Sequence, residues 1–388
     1  MGAMNQTYYE FFAGGGMARL GLGPEWCCLL ANDIDRKKVE TYRANFGAKE
    51  VVCKDVYELK SADMPNSPML AWASFPCQDL SLAGNRNGLA GERSGTFWGF
   101  WTAIHKLKVE GRAPPVLILE NVCGTLTSNG GKDFREICRA LSSFGYNFGS
   151  IVVDAIRFVP QSRPRLFIIC VDDDISLPSS VLTTKSNQSW ATAAVQDSFD
   201  GLPNDLKTKW RWWNLPEPKS RTANLSSLIE NNGKSVEWHT PLETEKLLKM
   251  MSSTNCDKVN EASKSNCEVI GAVYKRTRIE GGRRVQRAEV RFDGVAGCLR
   301  TPGGGSSRQS ILVVNGNAIR SRLLTVREAA RLMGVPESYA IPKNYNDGYH
   351  VFGDGLAVPV VAFIREHLLN ALAKCANKPG KTVSIAAE

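Results

Sequence analysis

Cys77 directly follows Pro76 and precedes the polar, glycine-bearing run "QDLSLAGNRNG". The apolar stretch ahead of it, "MLAWASF" (69–75), reads as a short buried strand. Cys77 therefore falls at a strand's C-terminal end, where open α/β sheets hold ligands and chemistry. Two readings follow: a nucleophile, or a half-buried small hydrophobe, which is the commoner fate of a free cysteine. "VLILENVCG" (116–124) brings Glu120 to a second strand end. A carboxylate leaving an apolar run is partly desolvated, which favours its protonated form and suits proton donation near neutral pH; the alternative is a cap on the next turn. In "VPQSRPRLFII" (159–169), Gln161, Arg163 and Arg165 occupy alternate positions entering a strand, so their side chains share one face. They are either exposed charges or, with Cys77 and Glu120, the holders of an anionic or carbonyl-rich substrate.

A glycine-rich turn sits ahead of these. "EFFAGGGMARLGLG" (10–23) reads as a strand, a tight turn and a helix, an arrangement that lets backbone approach a ligand and presents helix-start amides to it. It is not a G-x-G-x-x-G fingerprint, because Met17 and Ala18 follow the third glycine. The next apolar segment ends in "ANDID", putting Asp33 where doubly wound nucleotide-binding folds keep a carboxylate for ribose hydroxyls. A third ends in "CKDV" and offers Asp55. Three consecutive strand ends bearing a glycine turn and two acids favour an adenosine-bearing cofactor over a plain turn.

Elements that position these groups alternate along residues 7–170: "YYEFFAGGG", "WCCLLAND", "MLAWASF", "VLILENV" and "RLFIICV", with amphipathic runs between. That rhythm predicts βα units on a mainly parallel, doubly wound sheet. From about 175 it breaks into Ser-, Thr-, Asn- and Pro-rich sequence with the tryptophan cluster "WRWWNLPEP". "LLTVREAARLMGVP" (323–336) resumes an amphipathic helix, with Thr325 as N-cap and Glu328 three residues on. "VAFIREHLLNALAKCA" predicts another helix, followed by a loose tail.

Of 388 residues, 43% are hydrophobic, enough for a large core. No run approaches the roughly 18 apolar residues of a membrane span and no signal peptide is evident, so no membrane association and a cytoplasmic location are expected. Eleven scattered cysteines without a C-x-x-C pair, and only four histidines, suggest neither a disulfide framework nor a metal. The formal charge of +9 favours a polyanionic partner. Residues 273–292 carry seven Lys or Arg against two Glu, either a solvated surface or a phosphate-contacting one.

These residues resemble the DNA (cytosine-5) methyltransferase family, in that family's motif order, over nearly the full chain. "FFAGGGMARLGLG" resembles its first cofactor motif, "FPCQDLSLAG" its Pro-Cys-Gln nucleophile motif, "ENV" (120–122) its Glu-Asn-Val motif and "QSRPR" its Gln-x-Arg-x-Arg motif. "RLLTVREAARLMGVP" resembles its helix after the target recognition region. The resemblance implies a Rossmann-like, S-adenosyl-L-methionine-dependent catalytic domain with a smaller target recognition domain. It implies that Cys77 attacks carbon 6 of a flipped cytosine, that Glu120 protonates or hydrogen-bonds ring nitrogen 3, and that Arg163 and Arg165 steady the exocyclic oxygen and the thiolate. For the cofactor it implies Phe12, Ala13, Gly14 and Gly16 at the methionine end and turn, Asp33 on the ribose, and Ile34 beside the adenine. Asp55 would meet the adenine amine, Val56 and Phe97 would flank the ring, and Pro76 would lie near the sulfonium. Gln78, Ser81, Gln161, Arg300 and Thr301 are implied to meet DNA, and 79–95 to form a closing loop.

Two departures stand out. Met17 occupies a position usually held by glycine, and "GDGLAVPVV" (353–361) places Leu356 and Ala357 where the family's last motif has an amide residue and its neighbour. Leu356 cannot hydrogen-bond a cofactor carboxylate, so Asp354 or backbone amides near Gly355 are expected to substitute, or the methionine end to be held differently.

By segment, 5–177 is expected to be catalytic, 178–286 to recognise the target, 287–376 to complete the catalytic domain and 377–388 to form a flexible tail. The partner implied is double-stranded DNA, bound by a monomer with no amino-terminal regulatory extension, in a compact bacterial or phage type that can accompany a restriction endonuclease. Alternatives weighed are an RNA-directed relative, a variant using a modified S-adenosylmethionine, an inactive regulatory homologue and a dehydrogenase. The RNA-directed branch's Cys-Phe-Thr signature is absent, the motif residues an inactive homologue would lose are present, and a dehydrogenase leaves the Pro-Cys-Gln and Glu-Asn-Val motifs unexplained.

Overall fold

The computed structural model describes residues 6–76, 95–230, 236–301 and 308–376. It divides into two compact units, the first of residues 1–153, 164–217 and 361–388, the second of 154–163 and 218–360.

In the first unit, β1 (Gln6–Phe11), β2 (Trp26–Asp33), β3 (Val51–Cys53), β4 (Leu70–Ala73), β5 (Val116–Asn121), β6 (Tyr146–Asp154) and β7 (Pro164–Asp172) form one sheet in the order β3-β2-β1-β4-β5-β7-β6. The pairs from β3 through β5 are parallel and β7 runs antiparallel to β5. The order reverses between β1 and β4, and in doubly wound sheets the crevice beyond the strand ends at that reversal is where ligands bind. Both the glycine turn after β1 and the segment leading to Cys77 after β4 leave the sheet there. Between the strands run α1 (Met17–Leu22), α2 (Arg36–Phe46), α3 (Thr96–Val109) and α4 (Lys132–Ser143). The central strands read as unbroken apolar runs because both faces are buried, as "LAWA" in β4 shows.

One strand escapes sequence reading. β6 contains Gly149, which weakens a strand pattern. Its reason is tertiary: a Cβ there would lie 1.8 Å from the Arg211 carbonyl oxygen. The tryptophan cluster packs on this strand, with Trp210 against Phe148 at 6.0 Å and Phe199 at 5.4 Å between ring centroids. The boundary in space thus falls after Glu217, and residues 178–217 build Trp190, Trp210 and Trp213 into the first unit's interior.

The second unit carries an antiparallel sheet. With the short pair β8 (Leu182–Thr183) and β9 (Trp212–Trp213) counted in the first unit, its strands are β10 (Val269–Glu280), β11 (Arg283–Arg291), β12 (Ser310–Asn315) and β13 (Ala318–Leu323), ordered β11-β10-β12-β13. Val273, Ala288, Val290, Leu312 and Val314 pack with Leu247 and Val259 from the helices Pro241–Lys249 and Ser253–Ser263 and with Met251 between them. Thr325 and Glu328 form a capping box on the helix Val326–Leu332. Glu328 also takes a bidentate pair from fully buried Arg322, at 2.6 and 2.8 Å.

One helical stretch, Tyr345–Ala376, is long and apolar enough in composition to cross a membrane, which the sequence reading did not anticipate. More than half of its apolar window is buried inside the protein, as in the core helix of a globular chain.

Gly14 and Gly16 both have left-handed φ, +55° and +81°. A Cβ on Gly16 would meet Phe46 at 2.4 Å and Tyr42 at 2.9 Å, whereas one on Gly14 would meet nothing within 4 Å. Gly16→Ala should therefore cost about 2–3 kcal/mol of stability and Gly14→Ala about 1 kcal/mol, the latter from backbone strain alone, as read by thermal denaturation.

Candidate active site

The turn after β1 is held by the strand next to it. Ala13 N–H donates to the Asn32 carbonyl at 2.9 Å, and Gly14 N–H donates to Asp33 Oδ2 at 2.8 Å. Asp33 Oδ1 accepts from Asp35 N–H at 2.8 Å. Phe12 adopts φ +58°, a left-handed conformation rare outside glycine and found where function or a tight turn imposes it. Burial raises the Asp33 carboxyl's pKa, opposed by these amide donors and by Lys38. Each Asp33 oxygen keeps a further lone pair for a hydroxyl.

Ile34 is 66% exposed, an apolar side chain held in water at the end of β2. Asp55 caps the turn Val56–Glu58 by accepting from Tyr57 N–H at 2.9 Å. Val56 and Phe97 are buried in the apolar core, with Phe97 against Phe75, Trp98 and Trp101. Ile34 thus presents open apolar surface, whereas the Phe97 ring lies beneath the surface.

Sequence reasoning overlooked Glu10, the single carboxylate in the apolar strand "QTYYEF"; its signal was that isolation. It is buried beside Tyr8, Cys28, Arg19 and Tyr42. Burial pushes its carboxyl up to about 8, against the pull of Arg19 and with a smaller push from Asp33. Burial likewise pushes the Cys28 thiol up to about 12. A neutral acid therefore lies beneath the glycine turn at neutral pH.

At the neighbouring strand ends, Glu120 is buried on β5 and Arg165 Nε lies 3.3 Å from its Oε1 across the antiparallel β5–β7 pair. Asn121, also buried, donates through Nδ2 to the Phe75 carbonyl at 3.0 Å and accepts from Val122 N–H at 2.8 Å through Oδ1. This amide pins the end of β4 to the end of β5 just before Pro76, which is exposed. Asn121 is a second residue that sequence reading left without a role, since a polar side chain within a motif does not disclose its partner. Cys77, Gln78 and Ser81 lie outside the described residues, as does most of the 79–95 loop.

The three alternating residues of "QSRPR" do not act together as the sequence pattern suggests. Arg165 belongs to the first unit and joins Glu120. Gln161 and Arg163 belong to the second unit and are buried. Gln161 Nε2 donates to the Leu332 carbonyl at 2.8 Å, and its Oε1 accepts from Leu299 N–H at 3.0 Å. Both ends of this side chain are engaged, and it has no exposed surface.

Arg163 Nη1 donates to the Leu299 carbonyl at 2.8 Å, and Nη2 donates to the Gly353 and Gly355 carbonyls at 2.8 and 2.7 Å. It is a clamp between the return segment and the last motif. Arg300, next along, is exposed, and Thr301 donates its hydroxyl to Asp354. Leu356 and Ala357 are buried, and Asp354, expected as a polar substitute for Leu356, is engaged by Thr301.

The sheet order with its reversed β7 is that of the S-adenosylmethionine-dependent methyltransferase fold. Solved structures share it: the Dnmt2 methyltransferase of S. pombe (TM-score 0.57, 18% identity, 96% of this chain and 100% of that one) and a Spodoptera frugiperda DNMT2 mutant (TM-score 0.60, 17% identity, 95% and 99%). Among curated proteins, the type II methyltransferase M.BsuFI of Bacillus subtilis is 26% identical over 377 residues, covering 94% of this chain and 74% of that protein. M.HhaI of Haemophilus parahaemolyticus is 25% identical over 372 residues, covering 94% of each. The family described as C-5 cytosine-specific DNA methylase matches residues 7–370, and the chain belongs to it. It is an enzyme of the DNA (cytosine-5-)-methyltransferase class.

Glu10 sets a pH dependence. Its folded pKa, about 8, lies above the ordinary 4.5, so between those values the folded chain keeps a proton that the unfolded chain releases, and stability falls as pH rises through that window. Glu10→Gln retains the neutral shape. Its melting temperature should decline less than the wild type's between pH 5 and 8.5, as followed by scanning fluorimetry.

Proposed function

We propose that this enzyme is a sequence-specific modification methyltransferase that acts on carbon 5 of a cytosine turned out of double-stranded DNA, with Cys77 as covalent nucleophile. The observation that carries the reading is the buried Glu120–Arg165 pair, one strand away from the segment that delivers Pro76 and Cys77. Cytosine carbon 5 is a poor nucleophile, so it needs activation by covalent addition at carbon 6. Cys77 forms that bond as a thiolate. Glu120 meets ring nitrogen 3 and supplies or shares the proton that balances the adduct, while Arg165 fixes the direction of its carboxyl. Carbon 5, then electron-rich, accepts the methyl group; loss of its proton and elimination of Cys77 release the product. A base inside a stack exposes no face to such attack, so extrusion is part of the reading.

S-adenosyl-L-methionine fits the residues present and supplies an electrophilic methyl group, becoming S-adenosyl-L-homocysteine. The open space over Gly14, the free lone pairs of Asp33 and the exposed Ile34 support this fit. Phe12, Ala13 and Gly16 shape the turn, and Asp55 would take the adenine amine. In this reading Arg163 and Gln161 position the 299–301 segment rather than touch the base, and Arg300 and Thr301 lie nearest DNA. The formal charge of +9 suits a polyanion, whose backbone attraction is salt-dependent. We assign residues 218–286 of the second unit to target recognition. We expect a monomer on DNA, in the cytoplasm, beside a cognate restriction endonuclease or in phage protection.

The test is incubation with duplex DNA and methyl-labelled cofactor, then nucleoside mass spectrometry. 5-Methylcytosine should form with wild-type protein. Cys77→Ser should abolish it while leaving cofactor binding intact, and Glu120→Gln should slow it about 100-fold or more. Undiminished methylation by Cys77→Ser would overturn the covalent route.

A further inference from the structure

The β10–β11 hairpin extends beyond the body of the second unit. Its root, Val273, Ala288 and Val290, is covered by the helices Pro241–Lys249 and Ser253–Ser263. From Arg276 to Arg284 every residue is exposed, including Ile279 at 77%. At roughly 3.3 Å per residue the bare arm is about 20 Å long. Gly281 and Gly282, both with positive φ, close its tip.

The register sorts its side chains onto two unlike faces. On one, Tyr274 opposes Glu289, Arg276 opposes Arg287, Arg278 opposes Val285, and Glu280 opposes Arg283. There four arginines meet two glutamates, and Arg278–Glu289 and Arg287–Glu280 are ion pairs. On the other, Lys275 opposes Ala288, Thr277 opposes Gln286, and Ile279 opposes Arg284. That face has two cations and no acid. It continues the face that packs on the helices, so past their edge it is a bare sheet surface with amide, hydroxyl, guanidinium and branched apolar groups.

We propose that this arm enters a groove of duplex DNA with the Lys275–Thr277–Ile279 and Arg284–Gln286 face toward the base edges, and that Thr277, Arg284 and Gln286 select the sequence bound. The inference rests on the reading of duplex DNA as substrate. A two-stranded ribbon fits the major groove, about 12 Å wide. Glutamine can pair with adenine through two hydrogen bonds, arginine with guanine, and the Thr and Ile methyls can contact the thymine methyl. The opposite face, partly neutralised by its own glutamates, stiffens the arm and leaves the remaining arginines for phosphates.

The test is selection of bound duplexes from a random-sequence pool by the full-length protein, read by sequencing, for wild type, Thr277→Ala with Gln286→Ala, and Arg284→Ala. Wild type should enrich a defined sequence. The variants, altered only on exposed surface and expected to keep the wild-type melting temperature, should lose discrimination about tenfold at one or more base pairs. Identical enriched sequences with unchanged relative affinities would overturn the proposal while leaving the methyltransferase reading intact. Failure of wild type both to bind duplex DNA and to form 5-methylcytosine would overturn that reading, and this proposal with it.

Discussion

The second unit depends on one buried cation. A guanidinium removed from water needs hydrogen-bond partners, and Arg163 donates to three backbone oxygens and to Cys298 Sγ. Those oxygens belong to segments far apart in sequence, around Leu299 and Gly353–Gly355. Meeting the needs of Arg163 brings the return segment onto the last motif. The close packing there leaves only 3.0 Å between a Cβ on Gly353 and the Thr301 nitrogen, so the contact favours a glycine. Gln161, two residues earlier, does the same with neutral bonds, joining Leu299 to the end of the helix Val326–Leu332. A strap of a few residues thus organises a surface that includes exposed Arg300.

The first unit uses carboxylates and amides for the same purpose. Asp33 accepts from Gly14 N–H of the glycine turn through Oδ2 and from Asp35 N–H through Oδ1, yet retains capacity for a ligand. Asn121 joins the ends of β4 and β5, so the position of Pro76 is tied to that of Glu120. Glu10 sits below, neutral because burial outweighs the nearby guanidinium. These polar groups lie at strand ends or against the turn, where the sheet's apolar interior gives way to the crevice.

Most of the parallel sheet was legible, because strands buried on both faces read as apolar runs and the intervening helices are amphipathic. The motif residues were legible as well, through type, order and their places at strand ends. What stayed hidden depended on partners distant in sequence. Gly149 interrupts a strand because Arg211 approaches it. The tryptophans near 210 fall in the segment expected to recognise the target but fill the core beside β6. Gln161, Arg163 and Arg165 alternate regularly, yet the strand begins only at Pro164 and the three side chains take separate partners.

By itself the sequence determined the fold class and the family, because hydrophobic periodicity and residue chemistry are local properties. Tertiary structure decided which partners the motifs' polar residues take. It gave Arg165 to Glu120 and Arg163 to carbonyl oxygens, and left one face of a basic hairpin bare. Those outcomes follow from long-range hydrogen-bond satisfaction and burial, which no spacing along the chain encodes.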